Sequence, residues 1–157
     1  MAAALFLKVD GATGESKNGK YTGWTECESY SWEVNQLSSM GSGGGGGVGL
    51  ASVRDLVVLA TMDKVYPGLF LKCANGQHIP KVTLAAAKMG GSQIEYMRAE
   101  LSDVLVTTCH TNGTKGGEMT VEYGFSPSKV HVEYWEQTKD GGQGASSPID
   151  WDVKQNT

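Results

Sequence analysis

One stretch decides the fold class of this chain, and it reads Met119-Thr120-Val121-Glu122-Tyr123-Gly124-Phe125. Large apolar residues occupy every second position, and polar or small residues lie between them. Alternate side chains of an extended strand point to opposite faces, so this stretch is predicted to be a β-strand with one buried face. The same alternation occurs around Leu5 to Val9, Val82 to Ala86 and Val130 to Tyr134.

The segment from Glu26 to Gln36 shows the alternation again, with aromatic residues that favour strands. The residues predicted to face the core are the large ones, Tyr30, Trp32 and Val34. The opposite, outward face is then small and polar, and it comprises Cys27, Ser29, Ser31 and Glu33. A slip of one residue would bury the serines and expose the aromatic side chains, so the register is expected to be strongly specified.

One short amphipathic helix is predicted among the strands. Its apolar residues recur at positions i, i+3, i+4 and i+7, and they are Tyr66, Leu69, Phe70 and Cys73. Pro67 lies near its start and Gly76 after its end, as is usual for a helix. The sequence therefore predicts a mainly β fold, with one domain over residues 1–157 built as a small β-barrel of two packed antiparallel sheets and one short α-helix.

A glycine-rich run at residues 41–49 reads Gly41-Ser42-Gly43-Gly44-Gly45-Gly46-Gly47-Val48-Gly49. Glycine lacks a side chain that would restrict the backbone, so the run is predicted to be a flexible, extended loop between two strands. It formally contains a G-x-G-x-x-G pattern. No helix pattern and no Lys-Ser or Lys-Thr follows, so neither a dinucleotide site nor a phosphate-binding P-loop is predicted.

Composition and charge argue against several classes of partner. The formal charge of −4 gives no electrostatic attraction to nucleic acid or to an anionic membrane. The apolar N-terminal segment is interrupted by Lys8 and Asp10, so it does not match a signal peptide, and no longer stretch is apolar enough to span a bilayer. Widely spaced Cys27, Cys73 and Cys109 suit reduced thiols in the cytoplasm.

No constellation of residues indicates catalysis, a metal or a cofactor. His131 and Glu133 share a strand face and could supply two metal ligands, but no second pair completes a site, so a solvated histidine is the better interpretation. A G-x-S-x-G elbow is absent. Carboxylates brought together only in space would escape such a search, so an enzyme or a small-ligand-binding barrel stays an alternative to a structural protein.

Several short motifs follow one another in order along nearly the whole chain. They are Gly14-Glu15-Ser16, Ser31-Trp32 with Gln36, Asp63-Lys64 with Pro67 and Leu69, Cys73-x-x-Gly76-x-His78-Ile79, Val82-Thr83-Leu84, Lys88-x-Gly90-Gly91-x-Gln93-x-Glu95-Tyr96 and Trp151-Asp152-Val153-Lys154. In this combination the chain resembles the Hcp family (haemolysin-coregulated protein), the tube protein of bacterial type VI secretion systems.

The resemblance implies a structural protein, with no enzymatic activity, whose copies form a homohexameric ring around a wide central hole. Rings stack into a tube that is propelled by a contractile sheath together with spike proteins, and small effector proteins are carried in the lumen. Family members assemble in the bacterial cytoplasm and are then secreted without a signal peptide. A tail-tube protein of a phage or related injection particle is an alternative, because it shares the same assembly.

Two site hypotheses combine the residues with the resemblance. Small hydroxyl side chains suit the wall of a pore better than a subunit interface, which favours large aromatic or aliphatic anchors. Ser29 and Ser31 are therefore candidates for the lumen wall and for contact with cargo, the alternative being exposure on the outside of the ring. The candidate ring-stacking loop comprises Gly41, Ser42, Gly43, Gly44, Gly45, Gly46 and Gly47.

Overall fold

The fold is seen in a computed structural model that describes residues 3–38, 48–88 and 93–157. These residues form ten β-strands, one α-helix and a short 3-10 turn at Gly19–Tyr21. The elements are β1 (Ala3–Val9), β2 (Thr25–Ser31), β3 (Val34–Ser38), β4 (Val48–Val53), β5 (Leu56–Thr61), α1 (Tyr66–Asn75), β6 (Ile79–Lys88), β7 (Glu95–Asn112), β8 (Thr120–Ser126), β9 (Lys129–Gln137) and β10 (Gln143–Asp152).

Eight strands form one antiparallel sheet in the order β10-β9-β7-β6-β1-β2-β5-β8, and pairing of β7 with β8 closes part of it into a six-stranded barrel. The first half of β7 pairs with β6 and β9, and its second half pairs with β8. Strand β7 turns between these two halves at Asp103, which has a positive φ of 49°. The predicted mainly β barrel with one α-helix is confirmed, and a separate β3–β4 hairpin accompanies it.

The alternation that predicted the strands also predicts the core. Val121, Tyr123 and Phe125 on β8 are fully buried, and the same holds for Leu101 on β7. Met119, which lies just before β8, is 57% exposed. Removing apolar side chains from water drives this packing, and each large side chain contributes about 1.5–3 kcal/mol when fully buried.

The predicted strand from Glu26 to Gln36 is wrong in two respects. It is divided at Trp32 and Glu33 into β2 and β3, and a bulge interrupts β2 between Cys27 and Ser29. The bulge inserts a residue and so reverses the alternation along the strand. Cys27 therefore packs against the core instead of facing outward.

The side chains assigned to the core in this segment also differ from the prediction. Tyr30 is 42% exposed and Val34 is 66% exposed, because β3 leaves the barrel to form the hairpin with β4. Only Trp32 packs against the core cluster, and its indole Nε1 donates a hydrogen bond to the Arg54 carbonyl at 2.9 Å.

Helix α1 agrees with the prediction in its bounds but not in all of its buried face. Pro67 lies in its first turn, and Gly76 ends the helix with a left-handed φ of 72°. Leu69 is buried, and Tyr66 and Cys73 pack against the core. Phe70 was predicted to belong to the buried stripe and is instead 54% exposed.

The glycine-rich run can be compared with the structure only at its end. Residues 41–47 lie outside the described residues. Val48 and Gly49, which were predicted to belong to the loop, are instead the first residues of β4.

Candidate functional site: the outward faces and the apolar groove

Ser29 and Ser31 are both exposed on the outward side of β2. Ser29 pairs with Leu59 and Ser31 with Val57 on β5, and both partners point away from the buried Leu56, Val58 and Ala60. Paired residues of antiparallel strands share a face of the sheet. The prediction that the two serines face outward is therefore in accord with the register.

The serines belong to a broader surface, which we call the hydroxyl face. It is the outward side of β5, β8, the second half of β7 and the part of β2 after its bulge. Its members, related by cross-strand register, are Ser29, Ser31, Val57, Leu59, Thr61, Thr108, His110, Asn112, Thr120, Glu122 and Gly124. Glu122 and His110, which are among these members, are register partners. Most of this face presents small hydroxyl groups or half-buried aliphatic side chains.

A second surface, the charged face, is the outward side of β10, β9, the first half of β7 and β6. Its members are Lys81, Arg98, Glu100, His131, Glu133 and Asp150. Ion pairs join neighbouring strands, since Lys81 on β6 lies 3.7 Å from Glu100 on β7 and His131 on β9 lies 2.7 Å from Asp150 on β10. This face satisfies its own charges across the sheet.

On the charged face, His131 lies between two acidic side chains. Its Nδ1 lies 2.7 Å from Asp150 Oδ1 on β10, and its Nε2 lies 3.1 Å from Glu133 Oε1. An imidazolium ion can donate from both nitrogens at once. The hydrogen bond to Asp150, and then that to Glu133, raises the pKa of His131 above its ordinary value.

Arg98 connects the charged face to a small aromatic cluster on the outside of β1 and β6. Its guanidinium donates to both carboxylate oxygens of Glu95, at 2.7 and 2.9 Å, and lies 5.6 Å from the ring centre of Trp24. The hydrogen bond to Glu95 is the main cause that raises the pKa of Arg98. Tyr21 stacks on Phe6 at 4.3 Å and donates to Glu95 at 2.8 Å, which closes the cluster.

An apolar groove of about 450 Å³ lies between the β3–β4 hairpin and the inward side of β9 and β10. Its apolar walls include Trp32 and Val34 on one side and Val130, Val132, Ile149 and Trp151 on the other. Glu33 and Asp150 also border it. Asn156 holds the hairpin in place, because its Oδ1 accepts a hydrogen bond from the Ala51 N–H at 3.1 Å.

None of these surfaces is arranged as a metal centre. Within residues 3–38, 48–88 and 93–157, no group of three or more His, Cys, Asp or Glu side chains is placed to hold a metal ion. In the same part of the chain, no helix is both long enough and apolar enough to cross a membrane. Cys27, Cys73 and Cys109 are free thiols, and burial raises the pKa of the Cys27 thiol.

Comparison with known proteins decides the family. Residues 6–134 match the model of the family described as "Type VI secretion system effector, Hcp". The chain belongs to the Hcp family. It is 35% identical to protein hcp1 of Pseudomonas aeruginosa over 99% of this chain and 98% of the relative.

Solved structures of Hcp proteins agree with this membership. A type six secretion system protein superposes with a TM-score of 0.93 at 26% identity, covering 99% of each chain. Hcp1 of Salmonella typhimurium superposes with a TM-score of 0.81 at 30% identity, covering 100% of this chain and 99% of that one.

The Hcp motifs, although far apart in sequence, meet in pairs. Glu15 accepts a hydrogen bond from the Lys64 N–H at 2.9 Å, which joins the first motif to the start of α1. A second pair forms at the turn of β7, where Asp103 lies 2.7 Å from His78 Nδ1 and accepts from Lys154 Nζ at 3.0 Å. These partners, His78 first, lower the pKa of Asp103. Residues of the motifs that carry the Hcp resemblance therefore form contacts between distant parts of the chain.

Sequence reasoning missed the apolar groove and most of the hydroxyl face. The groove joins Trp32 to Trp151, which are distant in sequence and carry no shared local pattern. The hydroxyl face needs the pairing of β2 with β5 and of β5 with β8. Alternation gives the parity of each strand, but only cross-strand register shows which outward residues are neighbours.

Proposed function

We propose that this chain is a structural, non-enzymatic subunit of the type VI secretion tube, working as one β-barrel domain. Six copies close into a ring, rings stack into a tube, and small effector proteins travel in the lumen. The tube assembles in the bacterial cytoplasm inside a contractile sheath with a spike at its end, and is then secreted. The Hcp family membership supports the tube.

The chemistry of the hydroxyl face supports our proposal for which side of each copy lines the lumen of the ring. A wall along which a folded cargo moves should offer few strong anchors, and interface hot spots are large aromatic or arginine side chains. The hydroxyl face has no aromatic or arginine residue among its members. We therefore place Ser29 and Ser31 on the lumen wall.

Ring closure is supported by the free edge of the sheet. Strand β10 is the last strand of the sheet, so one of its edges has no partner strand among the residues that the structure describes. Unpaired edges promote open-ended association unless they are covered, and a closed ring can cover them. Residues 41–47 are proposed to contact the next ring, so shortening them should leave rings intact and weaken tubes.

Mass measurement tests the ring. Light scattering at micromolar concentration should give about six times the 16.7 kDa mass of the chain. A stable monomer under these conditions would count against the ring and against every assembly step built on it.

A matched pair of substitutions tests the lumen wall. Ser31→Gln should preserve the ring and reduce retention of a co-produced small effector protein, because the longer side chain crowds the wall. Ser146→Gln is the control, since Ser146 is exposed on β10 and pairs with Trp135 on the outward side. Equal retention by both variants would remove Ser31 from the lumen, and loss of the ring in Ser31→Gln would place this face in the subunit interface.

A further inference from the structure

Asparagine is followed by glycine at three places in the chain, Asn18-Gly19, Asn75-Gly76 and Asn112-Gly113. This dipeptide is chemically reactive, because glycine has no side chain to shield its backbone nitrogen from the preceding side-chain amide. The nitrogen can attack the asparagine Cγ, which closes a succinimide ring and releases ammonia. Since the dipeptide is the same at all three places, the folded structure decides which of them reacts.

The site at the end of α1 is held by hydrogen bonds at both reacting groups. The Gly76 N–H donates to the Lys72 carbonyl at 3.0 Å, and Asn75 Oδ1 accepts from the Gln77 N–H at 2.9 Å. The Gly76 nitrogen must lose its proton before it attacks, and this proton is engaged in the bond that ends the helix. Reaction at Asn75 therefore requires local opening of the helix end.

The site at the 3-10 turn is restrained through a side chain from a distant part of the chain. Asn18 Oδ1 accepts a hydrogen bond from Gln93 Nε2, and Gln93 Oε1 accepts from the Lys20 N–H at 3.3 Å. The Asn18 carbonyl also accepts from the Tyr21 N–H at 2.7 Å. The Asn18 amide cannot turn towards the Gly19 nitrogen without loss of its bond to Gln93.

The third site has no such restraint. Asn112 is the last residue of β7, Gly113 follows it in the loop to β8, and both residues are exposed. Among the residues that the structure describes, no hydrogen bond engages the Asn112 side chain or the Gly113 N–H. The pairing of β7 with β8 ends at Asn112 and Thr120, so the Gly113 peptide lies beyond the ladder and can rotate towards the side chain.

We propose that Asn112 is a site of spontaneous deamidation in the folded protein, with water as the only co-reactant. The Gly113 nitrogen loses its proton and bonds to Asn112 Cγ, the Cγ–Nδ2 bond breaks, and the side-chain nitrogen leaves as ammonia. Water then opens the succinimide ring at either carbonyl, which gives aspartate or isoaspartate. Both products add a negative charge to the hydroxyl face, beside the Glu122–His110 pair. The reaction takes place within one chain, so it does not depend on the proposed ring.

Peptide mapping of the full-length folded protein, kept in mildly alkaline buffer, tests the site. The peptide that contains Asn112 should gain the small mass that replaces an amide by an acid and should separate into aspartate and isoaspartate forms. Asn18 and Asn75 are internal controls and should react at least about tenfold more slowly, because their hydrogen bonds have to open first. In concentrated urea, which removes these restraints, the three sites should react at similar rates.

Gly113→Ala tests the attacking group. A Cβ at Gly113 would lie 3.4 Å from Met119 Cγ, which is an ordinary contact, so the fold should tolerate the methyl group. Crowding of the nitrogen should slow the reaction at Asn112 severalfold and leave the rates at Asn18 and Asn75 unchanged. The proposal is overturned if either control site reacts as fast as Asn112 in the folded protein, if folding slows all three sites equally, or if Gly113→Ala leaves the rate at Asn112 unchanged.

Discussion

The hydroxyl face and the charged face lie on the outside of the same barrel and share strand β7, yet they differ in chemistry. In its first half β7 presents Arg98 and Glu100 beside Lys81, whereas in its second half it presents Thr108 beside Gly124. The change occurs at Asp103, where the strand changes partners. The character of each face therefore depends on which strands lie side by side, and one strand can serve two surfaces.

The two faces also differ in how they are held. The charged face is fixed by directed pairs such as His131 with Asp150 at 2.7 Å. The hydroxyl face depends on close packing, since a Cβ at Gly124 would lie 2.8 Å from Thr107 Oγ1 and 3.1 Å from Thr108 Cβ. Substitutions that act on one kind of support should therefore leave the other largely unchanged.

The largest loss of stability is expected from a substitution in the core that lies beneath both the hydroxyl face and the charged face. Leu101 is fully buried beneath the charged face, between Val82 and Val130. Leu101→Ala should lower the free energy of unfolding by about 2–5 kcal/mol, from lost burial and the cavity left behind. Urea unfolding at fixed protein concentration measures this. Hydrogen exchange should show lost protection in β8 as well as in β9, and loss confined to β9 and β10 would mean that the faces are separate units.

Gly124→Ala tests the packing of the hydroxyl face. The added methyl group has to displace Thr107 and Thr108, so unfolding should become easier by about 1–3 kcal/mol. Gly68→Ala is the control, because a Cβ there meets nothing within 4 Å and alanine favours the helix. We expect opposite signs for the two variants, and equal effects would contradict the packing argument.

Arg98→Lys tests the directed pairs of the charged face. Lysine keeps the charge but cannot donate two parallel hydrogen bonds to Glu95. The expected loss of stability is about 1–2 kcal/mol, since hydrogen bonds to charged groups are stronger than neutral ones and this site is partly exposed. Thermal unfolding measures the change. An unchanged melting temperature would show that the Glu95 pairing adds nothing to the fold.

The smallest effect on stability is expected at His131, and it should depend on pH. The folded-state pKa of His131 is raised, so the stabilisation by Asp150 and Glu133 is complete below the ordinary histidine pKa of about 6.5 and is lost as pH rises through the folded value. The melting temperatures of wild type and His131→Gln should therefore differ most at acidic pH and converge as pH rises. In an Asp150→Asn background the difference should shrink, and a difference constant with pH would contradict the assignment.

The alternation of apolar and polar residues correctly predicted features that depend on a single strand. Val121, Tyr123 and Phe125 are buried as expected, because a period of two is a property of the strand itself. The bulge after Cys27 was not predicted, since a bulge exists only relative to a partner strand. Tyr30 and Val34 were assigned to the core although they are exposed, since the departure of β3 into the hairpin with β4 also depends on strand pairing.

Less of the candidate surfaces than of the fold could be predicted from the sequence. The outward direction of Ser29 and Ser31 follows from parity, but their neighbours on β5 and β8 follow only from register. Exposure of Phe70 on α1 could not be read from spacing, because Phe70 and Leu71 adjoin the buried Leu69 and either could have joined its stripe. Only the packing of α1 on the barrel decides between them.

An electron cryomicroscopy map of the assembled protein tests the proposed placement of the two faces most directly. We expect closed six-fold rings in which the hydroxyl face, with Ser29 and Ser31, lines the central hole and the charged face lies elsewhere. A map in which Ser29 and Ser31 lie on the outer wall or inside a subunit contact, or in which no closed ring forms, would contradict it.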